Sequence, residues 1–229
     1  MAITGQFKIF SLFVLIILFH ELGHILSGLY FNWNIEKVLL LPFGGITIFN
    51  NNINHSLKEE FIICLCGPLF QITFYLLVKN YLEISDIHYN LLIFNLLPIV
   101  PLDGSKLLSV ILNKFFSFKT SLYLTDFISI ITIFLLIYLL ITNKNLLLYL
   151  VIIFLVFKVI SEIKNVRYVF NRFLLERYYN PVKYKKTKLI KGYNLTQMFL
   201  EYNHLFYINK KYHTEREIIK KRFDLQRKM

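Results

Sequence analysis

The sequence predicts an all-α polytopic membrane protein with about five transmembrane helices, a small membrane-associated β-hairpin and a short cytosolic tail. Hydrophobic residues make up 56% of the 229 residues, with a mean hydropathy of +0.53. Soluble domains are less apolar, at about 45–50%. Five apolar runs are about the length that a helix needs to cross a bilayer, roughly 20 residues. They are residues 7–31, 59–82, 88–112, 122–141 and 146–163.

Positive charge is concentrated at the C-terminal end. Residues 1–163 contain nine Lys/Arg and nine Asp/Glu, whereas residues 164–229 contain 17 and five, the whole net charge of +12. A basic segment beside membrane spans is typical of the cytoplasmic side. We therefore predict a membrane domain over residues 1–170 and a basic cytosolic tail over residues 171–229. Nucleic-acid binding is the alternative for such a tail, but a solvated cytosolic face explains the same charges, so no nucleic-acid partner is predicted.

The connection after the first span predicts a hairpin. Residues 38–49 read VLLLPFGGITIF, two apolar runs around a Pro-Phe-Gly-Gly turn. Each run is too short to cross a bilayer. We expect a hairpin at the membrane interface, with its edges covered by protein or facing a cavity. An ordinary surface hairpin is the alternative.

Three ionisable residues interrupt the first apolar run. His20 and His24 are four residues apart, which places them on one face of a helix, one turn apart. Two imidazoles at this spacing can bind one Zn²⁺, and Glu21 beside the first can take a proton from water. A lone histidine in a membrane can serve helix–helix hydrogen bonding, but three such groups at ligand spacing favour a metal site.

The third apolar run supplies a candidate for the third zinc ligand. Asp103 lies in an apolar stretch beside Pro98, Pro101 and Gly104, which are expected to break the helix where it lines a cavity or is buried in protein. The first and third runs cross in the same direction, so Asp103 should lie at a depth similar to that of the histidines. Asn95 precedes it by about two turns. Its amide could steady an oxyanion or make an interhelical hydrogen bond.

These motifs resemble a known family. HELGH at residues 20–24, Gly67-Pro68 in the second run and NLLPIVPLDG at residues 95–104 together resemble the site-2 proteases, which are intramembrane zinc metallopeptidases. The Pro-Phe-Gly-Gly turn and the small size are most similar to the stage IV sporulation branch. The tail is similar to a reduced form of the nucleotide-sensing CBS domain of that branch.

The resemblance implies one Zn²⁺ held by His20, His24 and Asp103, with Glu21 as the base and Asn95 assisting. It also implies a membrane-associated protein substrate that uncoils and pairs with the hairpin, a pro-sigma factor of sporulation being the first candidate. Inhibitory membrane partners and a location in the bacterial inner membrane, within the lipid bilayer, are further expectations. Two alternatives stay open, a metal-binding membrane transporter and a non-catalytic relative that binds helices.

Overall fold

The computed structural model describes residues 2–41, 44–50, 53–80, 84–143 and 146–226. Seven α-helices and five strands lie in these ranges. They are α1 (Ala2–Tyr30), β1 (Ile35–Leu41), β2 (Gly44–Phe49), α2 (Leu57–Val78), α3 (Ser85–Asn95), α4 (Asp103–Phe115), α5 (Phe118–Asn143), α6 (Leu146–Tyr179), β3 (Lys186–Lys191), β4 (Tyr202–Ile208), β5 (Lys211–Thr214) and α7 (Glu215–Gln226).

Helices α1 and α2 pack at unusually close range. A Cβ atom at Gly23 would overlap the backbone carbonyl of Cys66, and one at Gly67 would overlap the imidazole of His24. Small residues at such contacts let two membrane helices approach each other. The glycines therefore hold the face of α1 that carries the histidines directly against α2.

The third predicted span is split in two. Helix α3 ends at Asn95 and α4 begins at Asp103, and the segment between them contains Pro98 and Pro101. Proline removes a backbone donor and disfavours helix at the preceding residue. Gly104 then packs so closely on the end of α3 that a Cβ atom there would overlap the carbonyl oxygens of that segment. The fold-back places the Asp103 carboxylate at the start of a helix inside the protein.

The predicted hairpin is present. Strands β1 and β2 are antiparallel, with Val38 opposite Thr47 and Leu39 opposite Ile46, and β2 packs against α1. Pro42 and Phe43 of the predicted turn lie outside the described residues.

The expectation of about five spans is not confirmed. Within the described ranges, three helical segments are long and apolar enough to cross a membrane, namely Phe7–Tyr30, Leu57–Val78 and Phe118–Leu139. The third predicted span is broken, as described above. The fifth belongs to α6, which continues beyond the predicted run to Tyr179 and ends just before Pro181.

The prediction of an all-α fold is wrong for the tail. Strand β4 pairs in parallel with β3 and antiparallel with β5, in the order β3-β4-β5, and α7 packs on β4 and β5. The sheet shares a hydrophobic core with the helices, because Phe118, Phe173 and Leu174 pack in the same cluster as Phe206 and Ile219. The tail and the helices are therefore joined by a buried apolar contact.

Arg177 makes the main polar connection between α6 and the tail. Its side chain is buried, and its Nη1 and Nη2 atoms donate to the carbonyl oxygens of Tyr202 at 2.8 Å and Phe199 at 3.0 Å. Its Nε atom donates to Asn54 Oδ1 at 2.6 Å. One guanidinium thus satisfies acceptors in the tail and in the segment that precedes α2.

Two carboxylates attach that same segment. Glu176 Oε2 accepts from the backbone N–H of Ile53 at 2.6 Å, and Glu201 Oε1 in the tail accepts from the N–H of Leu57 at 2.9 Å. Ser56, the N-cap of α2, makes no side-chain cap hydrogen bond. The tail therefore supplies the negative group that the N-terminus of α2 favours.

Candidate metal centre

Three side chains from α1 and α4 converge on one point. The Nε2 atoms of His20 and His24 are 3.2 Å apart, and Asp103 Oδ2 lies 2.8 Å from the first and 3.0 Å from the second. All three residues are buried. The one-turn spacing on α1 aligns the imidazoles, and the break between α3 and α4 brings the carboxylate to them.

The outer nitrogens of the two imidazoles are already engaged. His20 Nδ1 lies 2.9 Å from Gln71 Oε1, and His24 Nδ1 lies 2.8 Å from the carbonyl oxygen of Ile63. Gln71 is oriented by its amide nitrogen, which donates to the carbonyl oxygen of His88 at 3.0 Å. Both Nδ1 atoms therefore face acceptors and carry the ring proton in the neutral imidazole.

The consequence is a cluster of unsatisfied lone pairs. With the protons on Nδ1, both Nε2 atoms present lone pairs to each other and to Asp103 Oδ2. Acceptors at such distances repel one another in a buried site unless a cation lies among them. Two imidazole nitrogens and one carboxylate oxygen are a donor set of catalytic zinc, and outer-shell partners of this kind fix the ligating nitrogen. The residues present therefore fit a zinc ion.

Lys106 contacts the other side of the Asp103 carboxylate. Its Nζ atom lies 3.0 Å from Asp103 Oδ1, and its side chain is one-third exposed. The carboxylate thus directs one oxygen to the lysine and the other to the histidines.

Glu21 lies beside this donor set and is 2% exposed. One carboxylate oxygen of Glu21 and ring nitrogens of His20 and His24 all lie within 4.8 Å of one another. That separation leaves room for one water molecule between the Glu21 carboxylate and an ion held by the two imidazoles. The carboxylate is also held by β2, where Thr47 Oγ1 donates to Glu21 Oε2 at 2.5 Å.

Asn95 is buried at the C-terminal end of α3. A Cβ atom at Gly44 would lie 3.3 Å from Asn95 Oδ1, and one at Gly45 would overlap the Glu21 carboxyl group. Asn95 and Glu21 are therefore both neighbours of the first residues of β2.

Comparison with known proteins identifies the family of this chain. Residues 8–83 match the peptidase family M50. The chain is 37% identical over 196 residues to stage IV sporulation protein FB of Bacillus subtilis, an alignment that covers 77% of this chain. The chain belongs to peptidase family M50. With three helices able to span a membrane in the described ranges, this M50 chain is an integral membrane protein.

A sequence match and a structure match from one archaeon extend the comparison. The M50 chain is 33% identical over 124 residues to a zinc metalloprotease of Methanocaldococcus jannaschii, covering 48% of this chain. Its fold matches the solved site-2 protease from the same organism with a TM-score of 0.54 and 26% identity, over 67% of this chain and 76% of that one. The alignments span 66% of the sporulation protein and 35% of the archaeal metalloprotease, so parts of those relatives have no counterpart in the aligned region.

Three side chains around this donor set were not predicted from the sequence. Gln71 is fully buried beside His20, and it could have been noticed as an amide inside an apolar run, where polar groups are expensive. Lys106 follows Asp103 by three residues, the spacing of neighbours on one helix face. Thr47 carried no signal, because its contact with Glu21 depends on how β2 packs on α1.

Replacing Gln71 with leucine is expected to weaken zinc binding about 10- to 100-fold, the usual cost of losing an outer-shell partner of a metal-bound histidine. The imidazole of His20 would lose the acceptor that keeps its proton on Nδ1. Zinc affinity of the purified protein can be measured by competition with chelators of graded strength. Thr73→Val is the matched control, because Thr73 lies two residues further along α2 and is exposed. Equal affinities for Gln71→Leu and wild type would contradict this assignment.

Proposed function

We propose that this chain is an intramembrane zinc metalloprotease that hydrolyses a peptide bond in or near a membrane-associated segment of a regulatory protein. One observation carries the proposal: two imidazole nitrogens and a carboxylate oxygen converge within 3.2 Å of one another, with a glutamate alongside. Membership of peptidase family M50 supports the same reaction class.

In this proposal His20, His24 and Asp103 hold one zinc ion per chain. Zinc in such a set supplies Lewis acidity, which polarises the scissile carbonyl and acidifies a water molecule. Glu21 takes the proton of the attacking water and passes it to the leaving amine nitrogen. Burial of all four groups strengthens these electrostatic interactions.

Asn95 and the hairpin are assigned to the substrate. The amide of Asn95 steadies the developing oxyanion, a role supported by its burial and its position beside β2. A transmembrane helix protects its peptide bonds by hydrogen bonding, so the substrate segment must uncoil before cleavage. Pairing with a strand of the hairpin would hold it extended.

The proposed substrate class is supported by the sporulation relative. Similarity to stage IV sporulation protein FB favours a membrane-associated regulator of sporulation, and a pro-sigma factor is the candidate that we name. We place the protein in the bacterial inner membrane, with residues 171–229 in the cytoplasm as a basic tail related to a reduced CBS domain. Inhibitory membrane partners belong to the same proposal.

Two rival functions use the same residues differently. A metal transporter would use buried histidines and a carboxylate, but it would give no special role to a glutamate adjacent to the metal ligands. A non-catalytic relative that binds helices would be expected to have lost a ligand or the base, whereas this sequence keeps all of them.

Removing the metal tests the proposal. The chain is co-produced with a membrane-tethered pro-sigma factor, purified without chelators and treated with 1,10-phenanthroline. Cleavage should fall at least about 100-fold, since Lewis-acid stabilisation is worth several kcal/mol, and stoichiometric zinc should restore it. The isomer 1,7-phenanthroline, which does not chelate, is the control. Cleavage that persists after zinc has been removed would refute the proposal.

A further inference from the structure

One face of strand β2 forms a cradle for the Glu21 carboxyl group. Gly45 and Thr47 are two residues apart, so they lie on the same face of the strand. A Cβ atom at Gly45 would overlap the Glu21 carboxyl group, and Thr47 Oγ1 donates to Glu21 Oε2. The strand thus provides a gap for one side of the carboxyl group and a hydrogen-bond donor for the other.

The contact between Thr47 and Glu21 has the features of a charge-assisted hydrogen bond. The two oxygens are 2.5 Å apart, at the short end of the range for a hydroxyl donating to a carboxylate. Thr47 is 4% exposed and Glu21 is 2% exposed, so water competes little for either group. A hydrogen bond in such surroundings holds a side chain in one orientation more strongly than it would at a surface.

Threonine is well suited to this position. Its β-branched side chain has restricted χ1 freedom and is favoured in strands. The hydroxyl is therefore directed by the strand itself, and β2 is in turn fixed by its pairing with β1, where Val38 lies opposite Thr47.

We propose that Thr47 is a positioning residue for the proton transfer, holding the Glu21 carboxylate beside the His20, His24 and Asp103 donor set. This inference deepens the proposed function and rests on it. Thr47 does not touch the reacting atoms in this scheme; it acts through Glu21. Strand β2 thus contacts the base and also belongs to the hairpin on which the substrate would pair.

The test compares Thr47→Val, which keeps the shape of the side chain and removes the donor, with Thr47→Ser, which keeps the hydroxyl. The values of kcat and KM are measured on the membrane-tethered pro-sigma factor, and zinc content is measured on each purified variant. Thr47→Val should lower kcat roughly 10- to 100-fold, as expected for one hydrogen bond to a charged group. Its KM and zinc content should match wild type, and Thr47→Ser should stay within about threefold of wild-type kcat.

Two further variants complete the design. Thr125→Val is the matched control, because Thr125 is a buried threonine whose hydroxyl donates to the carbonyl oxygen of Ser121 in its own helix. It should retain wild-type kcat. Thr47→Ala against Thr47→Ser gives a second pair that differs by one oxygen atom, for use if the valine variant does not accumulate in membranes.

The outcomes separate this inference from the function on which it rests. Unchanged kcat in both Thr47→Val and Thr47→Ala, with Glu21→Gln inactive, would overturn the role of Thr47 and leave the protease intact. Loss of zinc in the valine variant, or an equal loss of kcat in Thr47→Ser, would also overturn it, by assigning Thr47 to folding of the hairpin. Activity that survives Glu21→Gln would instead count against the proposed function.

Discussion

Replacing Glu21 with glutamine should lower the rate of cleavage by about a thousandfold, within the range of 10² to 10⁴ that general acid–base catalysis contributes. The two side chains have the same shape, and the amide oxygen can still accept from Thr47. An amide cannot take a proton from the attacking water, so the chemical step fails. The rate of substrate loss is measured against wild type in the same membranes.

Zinc content should be unchanged in this variant, because the ligands are left intact. Glu36→Gln is the control, since Glu36 is an exposed glutamate on β1. The Glu21→Gln variant also distinguishes a protease from a metal transporter. If zinc uptake into vesicles were detected and survived Glu21→Gln, and no cleavage were found in wild type, the protein would be a transporter.

Replacing Asp103 with asparagine should remove zinc and, with it, all cleavage. One carboxylate oxygen lies 2.8 Å from His20 Nε2 and 3.0 Å from His24 Nε2, and the change removes its negative charge. Loss of a residue that only hydrogen-bonds to a metal ligand already weakens metal affinity about 10- to 100-fold. Loss of the ligand itself should therefore weaken zinc affinity more than about 100-fold. Zinc per chain is measured by elemental analysis after purification without chelators.

Asp86→Asn is the matched control for this change. Asp86 is an exposed aspartate in the first turn of α3, so its variant removes the same charge away from the histidines. Both proteins should accumulate equally in the membrane. Full zinc occupancy in Asp103→Asn would refute the assignment of this carboxylate as a ligand.

Most of what could be predicted about the site came from the spacing of its residues along the sequence. His20 and His24 could be paired because both lie on one helix, where a four-residue interval has a single geometric meaning. The approach of Asp103 could be anticipated from the direction and depth of its apolar run. The contact of Thr47 with Glu21 could not, because it depends on how β2, which begins at Gly44, packs against a helix that ends at Tyr30.

The tail illustrates a different limit. Strand β3 is rich in lysine and buries only Ile190 among its six residues, so it shows no alternation of apolar and polar positions. Strand β4 does alternate, burying His204, Phe206 and Ile208, and it could have been recognised as a strand. Strand β3 is stabilised through Ile190, which belongs to the hydrophobic core shared with α5 and α6. Such support comes from distant residues and leaves little trace in the local sequence.

The carboxylate of Glu201 at the N-terminus of α2 connects residues 171–229 to a helix that packs against the histidines. In a chain truncated after residue 179, Phe173 and Leu174 would lose the tail residues that cover them and would face water. Arg177 would lose its hydrogen-bond acceptors in the tail. Helix α2, whose Ile63 carbonyl oxygen faces His24 Nδ1, would then begin without its hydrogen bond to Glu201. Removing residues 180–229 is therefore expected to destabilise the helices as well, because the tail and the helices share a buried core and buried hydrogen bonds.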